Sequence, residues 1–93
     1  MNYIISYDLK NSYNRKQLSD YLKSYGFIRI QKSVFWGDIQ EKFLKKYIST
    51  LKTFLELKDD SILICPVNTK DLKNSSFIGY NFFINKKDNF KIL

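Results

Sequence analysis

Apolar and polar positions alternate from Asn2 to Tyr7, with Tyr3, Ile5 and Tyr7 on one face and Ile4, Ser6 and Asp8 on the other. This is the pattern of a half-buried strand. After a polar loop through Tyr13 the period lengthens. Leu18, Tyr21, Leu22 and Tyr25 recur at helical spacing, and Gly26 suits the left-handed position after a helix end. β-Branched and aromatic residues return from Phe27 to Trp36 and stop at Gly37-Asp38, which reads as one bulged strand or as a tight hairpin near Lys32. Within it Arg29, Gln31, Ser33 and Phe35 share a face too polar for a core, while Ile28, Ile30, Val34 and Trp36 share the other with Lys32. Asp38 and Glu41 have the form of a capping box. They open a predicted second helix with the stripe Leu44, Tyr47, Ile48, Leu51, Phe54 and Leu55, and with Lys42, Lys45, Lys46 and Lys52 opposite it. Asp59-Asp60 predicts a turn, and Ser61 to Val67 a buried strand. Asn68 to Ser75 is a polar connection with room for one helical turn, and Phe77 to Ile84 reads as a strand with Gly79 inside it.

This order predicts an α+β fold, a ferredoxin-like βαββαβ sheet with an additional C-terminal strand. Residues 1–93 form one domain, in which about 77–93 supply the last strand and a tail. Helices would cover one sheet face and leave open the other, which carries Ile4 and, on one reading, Phe35. A chain of 93 residues buries a modest fraction of its surface. The open face therefore predicts a homodimer packed through the same face of a second copy.

Sixteen Lys and Arg against nine Asp and Glu give a net charge of +7, which favours an acidic partner such as nucleic acid. The abundance of Lys, Asn, Ile, Phe and Tyr also matches what an A/T-rich genome would encode. The single cysteine, Cys65, lies in an apolar run and reads as a buried small hydrophobe in a reducing, cytoplasmic setting. The absence of histidine excludes a Ser-His-Asp triad, a Cys-His pair, a His-bearing zinc site and histidine acid/base hydrolysis of RNA. Hydrolysis would need carboxylates and a hard metal ion. No apolar stretch approaches the roughly 20 residues of a membrane span, so no membrane partner is expected.

Asp8 is the candidate with most to say. A carboxylate ending a strand is well placed to serve a site, and equally well placed to begin the turn Asp8-Leu9-Lys10-Asn11. Arg15, at the margin of the first helix's apolar stripe, suits either a phosphate or an ion pair with that aspartate. Taken together, Tyr7-Asp8, Arg15, Tyr25-Gly26, Arg29, Gln31, Ser33-Val34-Phe35, Gly37, Asp60-Ser61-Ile62 to Pro66 and Gly79-Tyr80 resemble the CRISPR-associated family called Cas-two, the smaller of the two universal spacer-adaptation proteins. The resemblance runs from residue 1 to about residue 80 and is densest from Gly26 to Gly37.

That resemblance implies a ferredoxin-like homodimer in which the C-terminal strand of one subunit extends the sheet of the other. It places Asp8 at the family's metal-binding aspartate, with Tyr7, Arg15, Arg29, Ser33 and Phe35 beside it. Some members carry a second basic residue where this chain has Gln17. One expectation is therefore Mg²⁺- or Mn²⁺-dependent phosphodiester hydrolysis of RNA or DNA. Asp8 and its symmetry mate would be the metal ligands, and Lys10, Arg15, Lys16 and Arg29 the nucleic-acid contacts. The competing expectation is a non-catalytic dimer that holds duplex DNA for the larger adaptation integrase. A toxin-like endoribonuclease of related shape is the third.

Overall fold

A computed structural model describes residues 1–79 and the backbone of Lys91–Ile92. The sheet is built around β1 (Asn2–Asp8), which pairs antiparallel on both sides. Its order is β2 (Ile28–Gln31), β3 (Val34–Asp38), β1, β4 (Ser61–Val67). Helix α1 (Ser12–Ser24), a 3-10 turn at Glu41–Phe43 with α2 (Leu44–Lys52), and the short α3 (Thr69–Lys73) complete the main body. β5 (Ser76–Phe77) pairs in parallel with β6 (Lys91–Ile92).

The alternation in β1 is realised as read: Tyr3, Ile5 and Tyr7 are buried and join Leu18 and Leu22 of α1 in the core. Asn11 caps α1 by accepting the Asn14 N–H at 3.1 Å. At the other end Gly26 has φ +86°, and the N–H groups of Gly26 and Phe27 donate to the carbonyls of Lys23 and Leu22. This is a Schellman cap, and it delivers Phe27 straight into the core, 5 % exposed. The turn Lys32–Ser33 makes the stretch after it a hairpin, and its register also shifts between Arg29 and Gln31. The sequence offered a hairpin or a bulge, and the fold uses both.

The hairpin overturns one expectation about faces. Arg29 pairs directly with Phe35 across it, so the two share a face, but that face is the helix-covered one. Phe35 is fully buried among Ile5, Leu18 and Leu22, not exposed on the open side. The capping box also fails. Asp38 stays in β3 and its carboxylate accepts from the N-terminal ammonium of Met1 at 2.7 Å, while α2 starts through the 3-10 turn with no side-chain cap.

β4 is apolar on both faces but covered on one. Ile62 and Ile64 pack against the core, whereas Leu63 is 61 % exposed and Cys65 is exposed, contrary to the buried strand and buried cysteine expected. Gly79 follows β5 with φ +93°, so the chain leaves strand geometry at that point. Positions 80–84 of the expected last strand lie outside the described residues.

Candidate functional site

Ser6 is the last β1 residue paired with β3, while Asp8 pairs only with Ser61 of β4. Asp8 therefore projects past the hairpin, exposed, and both its carboxylate oxygens accept from Lys10 Nζ at 3.1 and 3.2 Å. The loop behind it is clamped from two sides. Arg15 Nη1 donates to the carbonyls of Leu9 and Lys10 at 2.8 and 3.0 Å. Asp60 accepts the backbone N–H groups of Lys10, Glu56 and Leu57 at 2.9, 3.0 and 2.9 Å. Those three N–H groups, with the Lys10 charge a lesser contribution, hold the Asp60 carboxyl below its ordinary value of 3.8.

The sign of the pH effect follows. The native carboxyl releases its proton more readily than the unfolded one, so the ionised Asp60 stabilises the fold fully above the unfolded value. That contribution is lost as pH falls through the lower, native value. An Asp60→Asn variant should melt earlier than the wild type at pH 7, and the gap should narrow below about pH 4. Thermal melts across pH check this, and a gap independent of pH would show that the carboxylate charge is not what counts.

On the helix-covered side lies a cleft of about 320 Å³ lined by Tyr7, Arg15, Lys16, Ser19, Asp20, Lys23, Arg29, Lys32 and Ser33. Five cations face one carboxylate, and both of the chain's arginines are among them. Helical spacing puts Lys16, Ser19 and Lys23 on one face of α1, and Lys16 pairs with Asp20 at 2.9 Å. Arg29 lies 5.8 Å from the centre of the Phe35 ring and donates from Nε and Nη2 to the Lys32 carbonyl, at 3.1 and 2.5 Å, bracing the hairpin turn. Tyr7 stacks on Phe35 with ring centres 6.2 Å apart. Burial pushes its phenol up, outweighing the Arg29 and Arg15 charges and the Ser19 and Ser33 hydroxyls that favour the phenolate. Tyr7 is thus a neutral hydrogen bonder at physiological pH.

Residues 1–75 match the model of a protein family described as CRISPR associated protein Cas2. The chain belongs to the Cas2 family. It is 31% identical over 78 residues to the CRISPR-associated endoribonuclease Cas2 of Desulforudis audaxviator, covering 84% of this chain and 74% of that protein. It is 35% identical over 65 residues to the CRISPR-associated endonuclease Cas2 2 of Thermus thermophilus, covering 70% and 71%. The crystal structure of a hypothetical protein from Thermus thermophilus superposes with a TM-score of 0.65 at 34% identity, covering 72% of this chain and 80% of that one.

In this Cas2 chain the residues picked out by sequence divide into two groups. Tyr7, Arg15, Lys16, Arg29 and Ser33 converge on the cleft, with Phe35 as the buried floor under Tyr7 and Arg29. Asp8 and Lys10 do not line it. Strand alternation turns Asp8 to the opposite face from Tyr7, so within one chain the aspartate does not line the cleft with Arg29 and Ser33. Arg15 holds the Asp8 loop by its carbonyls; it is Lys10 that pairs with the aspartate. Sequence reasoning missed Ser19, Asp20, Lys23 and Lys32 as cleft residues, although the spacing of Lys16, Ser19 and Lys23 carried the signal. It also read Asp60 only as a turn residue.

Proposed function

We propose that this Cas2-family chain is a nucleic-acid-binding homodimer that serves spacer adaptation with the larger integrase, gripping the phosphate backbone of duplex DNA. The observation that carries this reading is the cleft, where Arg15, Lys16, Lys23, Arg29 and Lys32 gather around a neutral tyrosine. Such a surface suits the regularly spaced charges of a phosphodiester backbone and reads no sequence. The integrase partner rests on family membership.

Cleavage is the second reading, favoured by the relatives' names and by the exposed carboxylate at the end of β1. One chain does not make a divalent-cation site from its described residues. The candidate ligand is a single carboxylate already paired with Lys10, and among the described residues no three acidic, histidine or cysteine side chains cluster. Two Asp8 carboxylates facing each other across a two-fold axis would suit a hard cation such as Mg²⁺ or Mn²⁺, with water and phosphate as further ligands. When bound there it would supply an activated water and neutralise phosphate charge. The chain's own share is to hold Asp8 through the Arg15 and Asp60 clamps and to position the backbone through the cleft.

One experiment separates the two readings. Labelled duplex DNA and single-stranded RNA are incubated with wild type, Asp8→Asn and the pair Lys16→Gln/Lys23→Gln, with and without Mg²⁺, and scored for binding and cleavage. The lysine pair should weaken duplex binding and lower its salt dependence by about 2 contacts, while Asp8→Asn should bind as wild type does. Cleavage that needs both Mg²⁺ and Asp8 would establish the nuclease. Duplex binding unaltered by loss of both lysines would sink the cleft as the interface.

A further inference from the structure

A second cavity, of about 310 Å³, opens between α1 and α2 and is lined by Tyr21, Tyr25, Phe43, Lys46, Tyr47 and Thr50. The apolar stripes of the two helices meet there, but the fold does not bury the rings. Tyr25 is 58 % exposed and Phe43 43 %. The tyrosines touch at steep angles, with Tyr21 to Tyr25 at 4.9 Å and 51°, Tyr25 to Tyr47 at 5.6 Å and 76°, and Tyr21 to Tyr47 at 6.5 Å and 64°. None of these pairs lies face to face, and the exposure of Tyr25 and Phe43 leaves ring surface open toward the cavity.

A cage of aromatic rings is ordinarily a receptor for a cation. Here charge decides against that occupant. Lys46 forms part of the wall, Lys42 Nζ sits 5.1 Å from the centre of the Phe43 ring, and among the described residues no carboxylate lines the cavity. Rings beside ammonium groups suit a planar, π-faced ligand attached to an anion, as in single-stranded nucleic acid. The volume is at the lower end of small-ligand pockets, about 300–1,000 Å³, and so matches a single base better than a larger ligand. Burial raises the phenols of Tyr21 and Tyr47, so both rings stay neutral, and the Tyr21 hydroxyl is already bonded to Thr50 within the wall.

We infer that this cavity is a stacking site for an unpaired nucleobase of single-stranded DNA or RNA, with Lys46 and Lys42 taking the adjoining phosphate. The site is distinct from the cleft beside Tyr7 and does not depend on duplex binding there. Helix α1 and its C-terminal cap contribute to both, with Lys16, Ser19 and Lys23 in the cleft and Tyr21 and the cap residue Tyr25 in the cavity.

The probes are a twelve-residue oligothymidylate, an abasic oligomer of the same length and charge, and a blunt duplex. Wild type should prefer the thymidylate to the abasic strand by roughly fivefold or more, since stacking one base is worth about that at the least. Tyr25→Ala and Phe43→Ala should each erase most of that preference and leave abasic-strand and duplex affinities unchanged. Photocrosslinking of a 5-bromouracil strand to the wild type should label peptides containing Tyr21, Tyr25 or Tyr47, a readout that needs no variant to fold. Equal affinity of wild type for thymidylate and abasic strand would overturn the inference, as would parallel loss for all three probes or crosslinks confined to other segments. The Lys16→Gln/Lys23→Gln protein should keep the base preference, so failure of the cleft reading and failure of this one are told apart.

Discussion

Gly37→Ala should shift the urea midpoint of unfolding down by about 1 M or more, the largest stability loss expected from adding a single methyl group to this chain. A Cβ at Gly37 would lie 2.6 Å from Cδ2 and Cγ of Phe27 and 2.8 Å from Cδ1. Real Cβ contacts do not come that close, so the ring or the strand must move. Neither moves cheaply. Phe27 is fixed by the cap of α1, its N–H bound to the Leu22 carbonyl, and its ring lies 6.3 Å from that of Tyr47. Gly37 is paired with Tyr3 of β1, whose ring is buried in the core. Overpacking of this kind costs about 1–3 kcal/mol, a large share of the roughly 5–15 kcal/mol that holds a small domain together. Trimming the ring should relieve it, so Phe27→Leu in the Gly37→Ala background should cost less than the two single losses added together. Denaturation at one fixed protein concentration checks this, and a Gly37→Ala midpoint equal to that of the wild type would refute the packing argument.

The same glycine shows why some of the fold was legible and some was not. Features set by neighbours in the chain came through: the alternation of β1, the stripe of α1, the left-handed Gly26 and the βαββαβ order. Contacts between distant segments did not. Asp38 looks like a helix cap until the Met1 ammonium, 37 residues away in sequence, claims its carboxylate. Counting by twos groups Phe35 with Arg29, and the hairpin keeps them on one face, but nothing local tells that the helices cover that face and bury Phe35. The run Ile62 to Val67 is apolar throughout, and sequence cannot tell that the described residues cover only one side of it. At the site, residue types were readable but grouping was not. Tyr7 and Asp8 are adjacent, and for that reason face opposite ways.

The uncovered side of the sheet carries the second large effect. Ile4, Val34, Trp36, Leu63, Cys65 and Val67 share it by the strand registers, and the Trp36 indole N–H donates to Asn2 Oδ1 at 3.1 Å, holding that ring in place over the sheet. Leu63, 61 % exposed, stands directly across from Ser6. Leu63→Arg should leave the fold of one chain intact, because the side chain touches little of its own core. In a dimer packed through this face the substitution counts twice, since a two-fold interface repeats every residue. At about 2 kcal/mol for a central apolar contact, two copies should raise the dissociation constant roughly a thousandfold. Light scattering at micromolar concentration should then report the 11.2 kDa of one chain, where a wild-type dimer would give twice that mass. The monomer would retain its cleft and bind DNA more weakly, having lost the second attachment. Any Mg²⁺-dependent cleavage should vanish even though Asp8 is unaltered, because one carboxylate has lost its mate. A Leu63→Arg protein that still forms dimers would place the interface elsewhere and remove the basis for pairing Asp8 with its copy.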